Sequence, residues 1–109
     1  MGRVARGETA PRYHGLTRPW ETEEEATHRA IMLARITGAP LYIVHMSAKQ
    51  AVEVLQKHRD EGWNVFGETC PQYLILDETA CEPDFEGAKF ILSPPLRDKS
   101  NQEVLWQAL

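Results

Sequence analysis

No apolar run in this sequence approaches the roughly 18 residues that a membrane-spanning helix needs. The opening residues, MGRVARGETAPRYHG, contain no apolar stretch of the kind that drives secretion. A basic surplus is lacking too. With 12 Lys and Arg against 16 Asp and Glu the net charge is −4, which gives no reason to expect nucleic acid or an anionic membrane as a partner. Cysteine is scarce: Cys70 and Cys81 form no CxxC pair and no set of paired spacings. One surface disulfide is conceivable, but two reduced thiols in a cytoplasmic protein are the better expectation. Internal repeats and low-complexity segments are also missing, so neither a repeat array nor a disordered linker is expected. What remains is ordinary globular composition, 42% apolar and 26% charged over 109 residues, the size of one small domain.

Residues 1–21 carry Gly, Pro, Arg and Thr without periodicity and read as a lead-in loop. Thr22 and Glu25 have capping-box spacing, and Glu23 and Glu24 put negative charge where a helix dipole favours it. Ala26, Ala30, Leu33, Ala34 and Thr37 share one face at helical spacing, and Gly38 and Pro40 follow, so the pattern predicts a helix over 23–37. LYIVHM (41–46) is a near-continuous apolar run suited to a strand covered on both faces. Ser47 with Gln50 opens a second helix through Ala48, Ala51, Val52 and Leu55, which Gly62 ends. WNVFGE (63–68) reads as the next strand, TCPQYLILDETAC holds a short helix, and AKFIL (88–92) reads as a third strand closed by Pro94 and Pro95. Ser100 with Glu103 is a third capping box, leading into EVLWQAL.

The predicted order alternates helix and strand, which means parallel strands joined by helical crossovers. Three strands cannot cover or close such a sheet, and a (β/α)8 barrel needs eight. The expectation is an α/β slice of something larger, about three βα units.

In parallel α/β folds, function collects at the carboxyl ends of the strands. The first such end carries His45, and an imidazole placed there is a natural metal ligand or proton carrier; the plainer reading is a ring bonded to nearby backbone. The second runs into Glu68, Thr69 and Cys70, which can cap, bond or line a pocket. No base lies near Cys70 in sequence to make it a nucleophile. The third carries Ser93, whose direction before two prolines is restricted; that suits either main-chain contact with a substrate or a plain strand exit. His28 and His58 stand beside Arg29 and Arg59 in helices and read as solvated, while His14 sits in the lead-in.

Four stretches, YHGLTRPWETEEEAT, LYIVHMS, VFGETCPQYL and DFEGAKFILSPPLRDKSNQEVLWQAL, together resemble the central-to-late barrel region of bacterial D-hydantoinases and dihydropyrimidinases of the amidohydrolase superfamily. The resemblance runs in order over essentially the whole chain. Allantoinases and dihydroorotases usually have His where this chain has Gln72, and dihydroorotases usually have Asn in place of Ser93. Non-catalytic collapsin-response mediator relatives lack the strand-end histidine that His45 supplies.

The resemblance implies a fragment of a TIM barrel, with residues 1–109 as a partial amidohydrolase domain whose N- and C-terminal parts lie outside it. It implies hydrolysis of the ring amide of dihydropyrimidines or 5-substituted hydantoins to N-carbamoyl amino acids, with zinc-activated hydroxide as nucleophile. Two zinc ions would share a carboxylated lysine absent from this chain. His45 matches the family's last metal-binding histidine, and Ser93 the position that contacts the substrate ring through its backbone. No residue of the chain matches a catalytic proton carrier. The 109-residue chain is therefore expected to be inactive alone, to bind zinc weakly at most and to expose barrel-facing apolar surface. The intact protein is expected to be a cytoplasmic homotetramer acting on a small cyclic ureide or amide. Two rivals are a non-catalytic remnant or interaction module and an allantoinase- or dihydroorotase-like enzyme, which Gln72 and Ser93 disfavour.

Overall fold

A computed structural model describes residues 2–83 and 85–109. Met1 and Asp84, the latter inside the last resembling stretch, lie outside the described residues. The lead-in is more ordered than its composition suggests, with a 3-10 turn at Val4–Arg6 and a short helix α1 at Tyr13–Leu16. Helix α2 (Trp20–Thr37), strand β1 (Leu41–Ile43), helix α3 (Lys49–Asp60), strand β2 (Val65–Gly67), helix α4 (Pro71–Ile75) and helix α5 (Ser100–Ala108) follow. Two further 3-10 segments, Glu78–Cys81 and Glu86–Phe90, fill the stretch between α4 and α5. Among the described residues no helix is long and apolar enough to cross a membrane.

The predicted helices form, but not by the predicted caps. Helix α2 starts earlier, with Pro19 in extended conformation before it, and the Thr22 hydroxyl donates to the Pro19 carbonyl at 2.7 Å. Before α3, Ser47 and Ala48 donate their N–H groups to Glu23, and Lys49 N–H reaches Asn101 Oδ1 at 2.8 Å. The first turn of α5 is capped from Asp98, whose Oδ1 accepts from Ser100 N–H at 2.9 Å. In each case a better-placed acceptor upstream, or on another element, takes the donor that the spacing assigned to a local partner. Helix α2 does stop at Gly38, which has φ of 70° and donates its N–H to Ala34 O, a left-handed cap that glycine adopts without Cβ strain.

Strands β1 and β2 pair in parallel, Leu41 opposite Val65 and Ile43 opposite Gly67, as the βαβ reading requires. The third strand does not form. Residues 88–92 begin within the Glu86–Phe90 3-10 segment, and the two-stranded sheet contains only β1 and β2. An apolar run becomes a strand only where a neighbour accepts its ladder bonds; among the described residues none lies alongside.

The core lies between α3 and its neighbours: Ile31 of α2, Val52 and Leu55 of α3, Val65 of β2, Tyr73 of α4 and Leu105 of α5, with Met46 and Leu96. Helix α2 buries Thr27, Ile31 and Ala34 rather than the full row read from sequence, and Leu33 and Ile36 face solvent. The sheet is covered on one face only. Leu41, Ile43 and Val65 pack into the core, while Tyr42, Val44 and Phe66 stay exposed. The molecule is correspondingly flat, 46 × 31 × 18 Å with a radius of gyration of 15.3 Å, against about 13 Å for a compact domain of this length.

Gly67 sets the fit of β2 on α3. A Cβ there would stand 2.5 Å from Leu55 Cδ2 and 2.6 Å from Met46 Sδ. Gly67→Ala is therefore expected to cost about 1–3 kcal/mol through overpacking, measurable as a lower urea midpoint with an unchanged m-value. An unchanged midpoint would mean that both side chains yield freely.

Candidate functional site

The strand end that carries His45 departs from regular pairing. In a parallel ladder, the residue that donates to Ile43 O should accept from the N–H of position 45. Glu68 does donate to Ile43 O at 2.9 Å, but its carbonyl accepts from Met46 N–H at 2.8 Å. One extra residue is thus accommodated on the β1 side, the signature of a bulge, which re-aims a side chain at a sheet margin. His45 takes up the slack with φ of 46°. That left-handed conformation costs a non-glycine residue about 1–2 kcal/mol, and the flanking residues hold it there. Met46 is pinned again through its carbonyl, which accepts from Thr69 Oγ1 at 2.7 Å. The imidazole is exposed and has no hydrogen-bond partner among the described residues.

Ser93 reaches the same place from the far end of the chain. His45, Ser93, Pro94 and Pro95 line one cleft of about 470 Å³, together with Ile43, Val44 and the first half of α2. The Ser93–Pro94 peptide is cis. Ser93 is exposed, and neither its N–H nor its C=O is bonded within the described residues. Its flanks are anchored instead. His14 Nε2 lies 2.8 Å from Leu92 O, and Tyr73 OH donates to Pro94 O at 2.6 Å. His14, whose role the sequence left open, thus holds the segment that presents Ser93.

Between the two sits a pair that sequence reading did not single out as a site. Glu23, in the first turn of α2, accepts from Ser47 N–H at 2.9 Å, from Ser47 Oγ at 3.1 Å and from Ala48 N–H. Arg97 Nε lies 3.4 Å from the same carboxylate and donates to Ser47 Oγ at 3.2 Å, while its Nη1 donates to Arg18 O at 3.0 Å. Both side chains are nearly buried, 9% exposed for Arg97 and 12% for Glu23. The helix-dipole argument that marked Glu23 holds for α2, and the same charge also serves the N-terminus of α3. Arg97 closes the SPPLR word without any local chemical signal, and only the fold brings it to Glu23.

The remaining candidates take structural places. His58 is not solvated as its neighbours in sequence suggested. It is 4% exposed, its Nδ1 lies 2.8 Å from Val54 O, and its ring faces that of His28, which is exposed, at 6.0 Å between centroids. The α2–α3 contact covers it, and Arg59 points elsewhere, over the Phe66 ring. Glu68 supplies ladder anchors and accepts from Tyr42 OH at 2.9 Å. Cys70 and Cys81 are free thiols, and burial raises the Cys81 thiol. Among the described residues no three His, Cys, Asp or Glu are grouped so as to hold a metal ion.

Burial pushes the Tyr73 phenol up to about 12, with the charges of Cys70 and Glu23 adding and Arg97 opposing. A phenol raised above its unfolded value near 10 contributes stability that is intact below pH ~10 and lost as pH climbs to ~12. Stability is therefore expected to decline over that window. Tyr73→Phe should lower stability at neutral pH by about 1–2 kcal/mol, by leaving Pro94 O unbonded, and should flatten the alkaline decline. Urea unfolding at stepped pH reads both, and a variant with the same alkaline slope would refute the assignment.

No family model matches the chain. Over 107 residues it is 60% identical to the D-hydantoinase of Streptomyces coelicolor, which takes in 97% of this chain and 23% of that protein. The D-hydantoinase of Geobacillus stearothermophilus is 59% identical over 104 residues, 94% of this chain and 22% of its own length. Among solved structures, the dihydropyrimidinase from Brevibacillus agri matches with a TM-score of 0.95 at 59% identity, over 97% of this chain and 23% of that one. The chain thus spans less than a quarter of the length of each of these relatives.

Proposed function

We infer, from the premise that this is a partial chain of the D-hydantoinase and dihydropyrimidinase family, that it forms part of a cyclic amide hydrolase and supplies one metal ligand and one substrate-contacting segment. The observation that carries this reading is the meeting of His45 and Ser93, distant in sequence, on one cleft at the carboxyl end of β1. On this reading residues 1–109 are a central-to-late segment of a (β/α)8 barrel. The parallel pairing of β1 and β2 supports it, as does the division of the sheet into a helix-covered face and a more exposed face of Tyr42, Val44 and Phe66, where Arg59 lies over the Phe66 ring. That more exposed face would line the barrel interior.

His45 suits zinc chemically: an exposed imidazole with an unengaged ring, held on an anchored loop. One imidazole is too few for a stable site, so the other ligands, including the carboxylated lysine shared by two zincs, would come from outside this chain. Zinc, when bound, would supply Lewis-acid activation of water and of the ring carbonyl. The free N–H and C=O of Ser93 would orient the ring amide of a dihydropyrimidine or 5-substituted hydantoin, whose opening gives an N-carbamoyl amino acid. A cytoplasmic homotetramer belongs to the same proposal. The exposed side chains of Tyr42, Val44 and Phe66 also fit a second reading, a non-catalytic segment that binds through them.

Transplanting this segment into the Streptomyces coelicolor D-hydantoinase, in place of the 107 residues it matches, separates the two. The transplant is expected to hydrolyse hydantoin, while the 109-residue chain shows no turnover of hydantoin or dihydrouracil. A folded, tetrameric transplant without turnover would favour the non-catalytic reading. Turnover by the chain alone would show the site to be complete.

A further inference from the structure

We propose that Glu23 and Arg97 are positioning residues that lock the His45 loop to the Ser93 segment, so that metal ligand and substrate contact keep a fixed separation; this rests on the hydrolase reading above. The geometry is specific. Ser47 lies two residues after His45, and its N–H and hydroxyl both end on Glu23. Arg97 lies four residues after Ser93, and its guanidinium ends on Glu23, on Ser47 Oγ and on the Arg18 carbonyl. The Ser47 hydroxyl donates its one proton to the carboxylate and accepts from Arg97, so a single group joins both sides of the cleft. The Arg97 carbonyl is fixed as well, accepting from Glu78 N–H at 2.9 Å.

Without Glu23, nothing else among the described residues accepts the Ser47 and Ala48 N–H groups. The loop would then relax from the strained φ of 46° at His45 toward the favoured right-handed or extended regions. Without Arg97, the Ser93–Pro95 segment keeps its ties through Leu92 and Pro94 but loses its tie to the metal side. The two residues therefore act on different parameters: Glu23 on metal affinity, Arg97 on the placement of substrate.

The test uses the transplanted hydantoinase. Zinc affinity is read by competition with a chelator, separately from turnover, and KM and kcat are measured at saturating zinc. Glu23→Gln is expected to weaken zinc by about 10–100-fold, the range for losing a group that orients a metal ligand, here through the loop that carries His45, with KM changed much less. Arg97→Met is expected to raise KM by about tenfold or more while zinc affinity moves less. Glu23→Asp and Arg97→Lys, which keep the charges, should recover part of each loss, and Arg97→Lys is read in place of Arg97→Met if the latter does not accumulate. Lower thermal midpoints with zinc affinity and KM unchanged would assign the pair a purely structural role and overturn the proposal. So would equal losses of both parameters in both variants. An unsubstituted transplant that fails to bind zinc would instead overturn the hydrolase reading.

Discussion

Replacing His45 with alanine in the transplanted hydantoinase is expected to empty part of the zinc centre and to cut turnover by more than about 100-fold. Loss of a partner that merely orients a metal ligand costs about 10–100-fold, so loss of the ligand itself should exceed that range. The backbone at this residue allows a sharper test. With φ of 46°, alanine inherits the left-handed strain and glycine does not. His45→Gly should therefore be more stable than His45→Ala by about 1 kcal/mol, while both lack the ring and both lose metal. In His45→Gly, stability and function then move in opposite directions relative to the native residue, as expected of a strained functional side chain. If either variant retains zinc content and rate, His45 is structural and the site assignment fails.

How much of this was legible beforehand depends on how local the determining interactions are. Helices α2, α3 and α5 and strands β1 and β2 follow from apolar periodicity and from Gly38 and Gly62, because the signal lies within each element. The 88–92 run failed for the opposite reason. A strand is defined by its neighbour, and this stretch instead winds where Gly87 seats against Cys81; a Cβ on Gly87 would stand 2.6 Å from the Cys81 carbonyl oxygen. The three capping boxes failed because a serine or threonine three residues before an acid or amide is a weak constraint: α2 starts before Thr22, which bonds back to the Pro19 carbonyl, and Glu23, Asn101 and Asp98 take the donors at the other two starts. The place of His45 at the end of a strand was readable, although the bulge there was not. Ser93 was readable only as an ambiguous exit. Glu23 and Arg97 were invisible as a pair, since no sequence pattern connects two residues that only the packing of α2 against the 93–97 segment brings together.

That pair is also where the largest loss of stability is expected. Arg97→Met leaves the Glu23 carboxylate, 12% exposed, without its cation, and removing one partner of a buried pair costs about 3–5 kcal/mol. Arg29→Met provides the contrast. Arg29 and Glu25 are 3.1 Å apart, closer than Arg97 and Glu23 at 3.4 Å, yet their side chains are 66% and 63% exposed. An exposed pair of this i,i+4 kind is worth about 0.3–0.5 kcal/mol, so distance alone would rank the two substitutions in the wrong order. Glu23→Gln combined with Arg97→Met should cost clearly less than the sum of the single changes, because the second substitution removes the charge that the first strands. Urea unfolding of the four transplants reads all of this. Similar small effects of Arg97→Met and Arg29→Met would place the Glu23–Arg97 contact among the surface pairs, and the two sides of the cleft would then be held by His14, Tyr73 and Thr69 alone.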